Sequence, residues 1–168
     1  MSLLDEIVKA YDIRGTVPDQ LHADIAHALG VGFASFSGAD RVLVARDMRP
    51  SGEELVDAFA RGLMEQGVDV IDLGLASTDL LYYAAGALDA PGAMFTASHN
   101  PAQYNGLTLC LSGARAVGIA ERAEVLAALD PARRHLVQAN AEVEHLGAIA
   151  LVAGMHERLV GRRQRIGD

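Results

Sequence analysis

Lysine and cysteine each occur once in this 168-residue sequence. A lone cysteine, Cys110, excludes an internal disulfide, and its apolar neighbours Leu109 and Leu111 mark it as a buried strand thiol more than a nucleophile. Because Lys9 is the single lysine and every other basic side chain is an arginine, any mechanism that needs a catalytic lysine further along the chain is excluded. Basic charge is also short overall: 14 lysines and arginines face 22 acids, a formal net charge of −8, which argues against general nucleic-acid binding. No run of 18 apolar residues is present to cross a bilayer, and no basic stretch followed by an apolar run opens the chain. The expectation is a cytoplasmic protein with neither membrane nor nucleic acid as partner.

What is present is globular, with 51% hydrophobic residues and 17 glycines. The length suits one sizeable core, so one domain over residues 1–130 and a C-terminal tail over 131–168 are expected. Apolar spacing predicts a helix over 21–36, weakened by Gly30 and Gly32 and started by Asp19 or a nearby polar residue. A short buried strand follows over 41–45. Ser51 and Glu54 have capping-box spacing, opening a helix that runs to about Gln66 and stops at Gly67. Residues 68–73 read as a strand, Thr78 as the cap of a helix to Leu88, and 92–95 as a third buried strand. A further strand over 107–111 and a helix over 118–129, ended by Asp130-Pro131, complete the series. Alternating strands and helices predict an α/β class, a three-layer α/β/α domain with a mostly parallel sheet. Past Pro131 arginines outnumber acids and the alternation is lost. His135, His145 and His156 are too far apart for a helical or hairpin metal site, and Arg162, Arg163 and Arg165 read as a solvated terminus.

In such sheets ligands gather beyond the carboxyl ends of the strands. Three loops draw attention there: residues 11–15 (YDIRG), 46–51 (RDMRPS) and 96–106 (TASHNPAQYNG). In the last, Asn100-Pro101 and Asn105-Gly106 are turn-forming pairs that would present Ser98 on a tight exposed loop. A serine by itself is a weak nucleophile and needs a base or an attached phosphate. His99 is not expected to form a dyad with it, because adjacent side chains usually diverge. A phosphate on Ser98 would be held by guanidinium groups, and Arg14, Arg46 and Arg49 lie on the neighbouring loops. The alternative reading is that Arg46 and Asp47 simply pair with each other. Two rival motifs fail. The Gly30-Val31-Gly32 stretch lies inside a helical pattern without the third small residue of a dinucleotide fingerprint, and Ser98 lacks the G-x-S-x-G setting of a hydrolase elbow.

The motifs KAYDIRG (9–15), ARDMRPS (45–51), GLASTDLLYY (74–83) and the 96–106 loop together resemble the first domain of the α-D-phosphohexomutase superfamily, closest to its phosphomannomutase/phosphoglucomutase group. The resemblance spans most of residues 7–130. It implies that Ser98 is phosphorylated, passes its phosphate to a hexose 1- or 6-phosphate, and regains one from the hexose bisphosphate after reorientation. It further implies Ser98 as a ligand of Mg²⁺ through a phosphate oxygen, Arg14 beside the phosphoserine, His99 near the reacting hydroxyl, and Tyr11 and Arg49 as substrate-binding residues.

The chain departs from that pattern in specific ways. Thr108 stands where family members commonly carry a lysine after the Asn-Gly pair, and no D-x-D-x-D stretch supplies an oxygen site for Mg²⁺. Family enzymes also have three further domains. The expectation is therefore a truncated or split mutase of negligible turnover alone, self-associating or complemented by missing domains. The alternative is a non-catalytic phosphosugar-binding or protein-interaction module that keeps the fold.

Overall fold

The computed structural model describes residues 7, 12–118, 120–121, 124–125 and 163–165. Tyr11, the 126–130 part of the expected last helix, and the tail up to residue 162 with its three histidines lie outside the described residues.

The elements in chain order are β1 (Ile13–Thr16), α1 (Ala23–Ser37), β2 (Arg41–Arg46), α2 (Gly52–Glu65), β3 (Asp69–Leu75), α3 (Thr78–Ala87), β4 (Gly92–Phe95), β5 (Tyr104–Leu111), a short 3₁₀ turn (Ser112–Ala114), β6 (Arg115–Ala116) and β7 (Arg163–Arg165). The apolar run of β2 shows how the layers arise. Successive strand residues point to opposite faces, so Val42 and Val44 pack with α1 and α2, whereas Leu43 and Ala45 pack with Leu81, Ala84 and Ala85 of α3. Ala93 and Phe95 of β4 follow the first pair, and Met94 follows the second. Both faces of the sheet are therefore covered. Phe59 of α2 meets Phe95 edge-on at 5.4 Å between ring centroids, joining helix layer to sheet.

Gly30, a weakness in the sequence pattern, has its reason in the packing of α1 on α2. A Cβ at Gly30 would sit 2.2 Å from the Phe59 carbonyl oxygen, and one at Gly62 would sit 2.2 Å from that of His27. Each helix offers a glycine to the other's backbone, which offsets the low helix propensity of glycine.

The strands are ordered β1-β5-β4-β2-β3-β7, with β6 on β5. β2 is parallel to β3 and β4, and β3 to β7. β5 runs antiparallel to β4 and β1, so the sheet is mixed. The cause is the β4–β5 connection: residues 96–103 hold no helix, and a parallel return needs a crossover of roughly a dozen residues or more. This same connection carries Ser98.

Four details correct the sequence reading. Residues 13–15, read as part of a loop, form β1 together with Thr16. Ser51 makes no side-chain capping bond at α2; its hydroxyl instead accepts from Asn105 Nδ2 at 2.9 Å. The cap of α3 is Ser77, whose Oγ accepts from the Leu80 N–H at 3.1 Å, one residue before the expected Thr78. Arg163 and Arg165, read as a solvated terminus, lie on a backbone strand in register with Val70 and Asp72.

Candidate active site

The carboxyl ends of β2 and β4 and the turn into β5 meet at Ser98. β4 delivers a buried Phe95, the Thr96 N–H donates to the Gly106 carbonyl at 3.1 Å, and Ala97 is buried beneath the loop. Gly106 has to be glycine, since a Cβ there would lie 2.6 Å from the Ile13 oxygen and 2.7 Å from that of Thr96. Buried Asn105 donates to Ser51 and accepts from the Gly106 N–H at 2.8 Å, fixing the base of the loop.

At the tip Ser98 has φ of +53°, the left-handed region that non-glycine residues rarely adopt. Its side chain is exposed. Its N–H donates to Thr96 Oγ1 at 3.0 Å, and Thr96 Oγ1 in turn donates to Asp47 Oδ2 at 2.7 Å. Ser98 Oγ and His99 Nδ1 are 3.3 Å apart, within hydrogen-bond reach. The expected divergence of these adjacent side chains is therefore overturned, because side chains diverge in this way along extended backbone and Ser98 is left-handed.

The three arginines of these loops differ in what they touch. Arg14, on β1, donates from Nη1 to Asn100 Oδ1 at 2.7 Å and from Nη2 to Asp12 Oδ2, which ties it to the Ser98 loop from the antiparallel side. Its Nε is buried without a partner among the described residues. Arg46 makes no ion pair among the described residues. Asp47 pairs with Arg49 at 3.2 Å, not with Arg46 as the alternative reading had it. Asp47 Oδ1 also accepts from the Arg49 N–H at 3.0 Å, a local turn closed by the Asp47 side chain on the backbone two residues on. Arg49 reaches across to the 96–106 loop. Its Nη1 donates to the carbonyls of Pro101 (2.8 Å) and Tyr104 (2.9 Å), and its Nη2 to those of Ser98 (2.9 Å) and Asn100 (2.8 Å). With Nε on Asp47, all five N–H groups of the guanidinium are engaged. Ser98, His99, Arg14 and Arg49 are thus gathered in one place.

Asp12, Asp47, Thr96, Asn100, Asn105 and Ser51 complete the arrangement and were not singled out from the sequence as site residues. The available signal was their place within the quoted motifs. Nothing in residue type distinguishes a carboxylate that orients an arginine from one that is solvated.

A magnesium ion requires about six oxygen ligands in near-octahedral order. The two carboxylates of this region, Asp12 and Asp47, are each taken by an arginine. Among the described residues no group of three His, Cys, Asp or Glu is placed to hold a metal ion. The residues present do not fit Mg²⁺ by themselves.

An α/β/α sheet with an exposed serine on a tight loop beyond the strand ends, flanked by arginines, defines a phosphosugar-mutase type of domain. Comparison with known proteins agrees. Residues 5–133 match the family model for phosphoglucomutase/phosphomannomutase, alpha/beta/alpha domain I, and the chain belongs to that family. It is 42% identical over 110 residues to a phosphomannomutase of Klebsiella pneumoniae, covering 65% of this chain and 70% of that one. It is 45% identical over 116 residues to a phosphomannomutase/phosphoglucomutase of Pseudomonas putida, covering 67% of this chain and 25% of that one. A crystal structure of a phosphoglucomutase/phosphomannomutase family protein from Burkholderia thailandensis superposes with a TM-score of 0.69 at 39% identity, over 79% of this chain and 31% of that one. This chain thus spans a quarter of the Pseudomonas relative's length.

Proposed function

We propose that this chain is the phosphoserine-bearing domain of a hexose phosphate mutase and that Ser98 carries the transferable phosphoryl group. The observation that supports this most directly is the exposed Ser98 hydroxyl on a left-handed loop turn, with a guanidinium on each side of the loop that holds it. Phosphoryl transfer asks mainly for positioning and charge neutralisation. When phosphorylated Ser98 meets a hexose phosphate, the P–Oγ bond breaks as a P–O bond forms to the free 1- or 6-hydroxyl. The proton of that hydroxyl ends on Ser98 Oγ, and His99 Nδ1 at 3.3 Å is placed to deliver it. The bisphosphate, turned end for end, returns a phosphoryl group by the reverse step. Arg14 balances charge beside the loop, and the family resemblance of the 9–15 motif assigns Tyr11 to sugar binding. Mg²⁺, if used, takes its ligands mainly from outside the described residues, and no step here is routed through it.

Turnover by the chain alone is expected to be negligible, because sugar and metal contacts beyond the Ser98 phosphate have no counterpart among the described residues. The test is incubation with glucose 1,6-bisphosphate followed by intact-mass and peptide mapping. One added phosphate on Ser98, absent from Ser98→Ala, is the expected result; no phosphate would sink the reading. Thr108 favours a second reading, a binding module that kept the fold without the reaction. It sits on β5 opposite Met94 with a hydroxyl where a lysine is common in the family. Saturable binding of the bisphosphate without any Ser98 phosphate would select that reading.

A further inference from the structure

Arg49, Asp47 and Thr96 form one connected device around Ser98, and we infer that they are positioning residues that hold Ser98 in its left-handed conformation without touching the sugar phosphate. The inference rests on the proposed role of Ser98. Four carbonyl oxygens, of residues 98, 100, 101 and 104, converge on a single point, which Arg49 fills with two N–H groups on each side. Without a cation there, these four partial negative charges would face one another next to a phosphoserine of about −1.5 to −2 charges. Asp47 aims the guanidinium through Nε and holds the Thr96 hydroxyl at 2.7 Å. That hydroxyl's proton is committed to Asp47, so its lone pair is free to accept the Ser98 N–H. The Ser98 backbone is thus gripped at both ends, its N–H by Thr96 and its C=O by Arg49.

The arginine side chain is only 9% exposed and has no N–H left over. A ligand phosphate would therefore have to displace a loop carbonyl to reach it. Arg14 differs, since its two bonds go to side chains, Asn100 and Asp12. Lysine cannot replace Arg49, because an ammonium has three donors and no planar fork to serve four carbonyls and a carboxylate.

Arg49→Lys and Thr96→Val in the full chain test this with two readouts. The first is the rate and half-saturating concentration for uptake of phosphate from glucose 1,6-bisphosphate by mass spectrometry. The second is amide hydrogen exchange over residues 96–106 against the core strands. We expect a rate loss of about 100-fold at unchanged half-saturation, the size a misplacement of roughly 1 Å produces, with faster exchange confined to 96–106. A raised half-saturating concentration with unaltered loop exchange would make Arg49 a substrate ligand and overturn the inference. If the wild-type chain takes up no phosphate, the proposed role of Ser98 fails, and exchange alone decides. A rise confined to the loop in both variants supports the device, and no rise, or one spread over the core, refutes it.

Discussion

Cys110 lies on β5 with no exposed surface, and burial pushes its thiol from an ordinary value of 9.0 up to about 11, partly countered by a hydrogen bond to the backbone of Gly92. Burial also raises Tyr82, with the nearby Cys110 thiol adding to the shift. Both groups prefer to keep their protons in the folded state, so their contribution to stability is full below the unfolded values and is lost as pH climbs through the folded ones. The melting temperature should therefore fall between pH 9 and 11, less steeply in Cys110→Ala than in the parent, as differential scanning fluorimetry across that range would show. The same burial makes the thiol inert: iodoacetamide at neutral pH should label it only after denaturation. That reading was available from Leu109 and Leu111 alone. The exposed loop position of Ser98 was legible too, from the turn-forming pairs Asn100-Pro101 and Asn105-Gly106 that follow it. Its left-handed backbone was not, since no residue type in T-A-S-H-N-P announces it, and the proximity of His99 was lost with it.

Among the elements, α1 and α2 show how far apolar spacing carries. α1 was legible from its periodicity and α2 from a capping-box spacing whose serine bond does not form, but the mutual insertion of Gly30 and Gly62 was not legible, because it depends on which faces meet. Two substitutions separate the causes. Gly30→Ala must push α1 off the Phe59 carbonyl and should cost about 2–3 kcal/mol of unfolding free energy. Gly38, the α1 C-cap at φ of +58°, has open space around its Cβ position, so Gly38→Ala should cost only about 1 kcal/mol from backbone strain. Urea titrations of the two variants measure the difference, and equal losses would contradict the close-contact account. β1 escaped the sequence reading for a related reason. Four residues with only Ile13 and Gly15 buried make a weak pattern, and the antiparallel partner β5 that stabilises them lies far along the chain.

For the molecule as a whole, the apolar side chains left outside the core form a telling set. Met48 is 84% exposed, Tyr83 73%, Leu75 63% and Leu80 46%, and they lie in the loop after β2, at the end of β3 and on α3. Burial of such surface is favourable at roughly 25 cal/mol per Å². The chain alone should associate with rising concentration, and Leu80→Glu with Tyr83→Glu should lower the weight-average mass in sedimentation equilibrium. No described helix is long and apolar enough to cross a membrane. The sheet order has one more consequence, which belongs to time. Ile13 pairs with Leu107 and Arg14 with Gly106, so β1 finds its neighbour only after β2, β3 and β4 have been made. Closing so long a loop is entropically slow. During synthesis the parallel strands β2, β3 and β4 can assemble first, and the serine loop is clasped by Arg14 last.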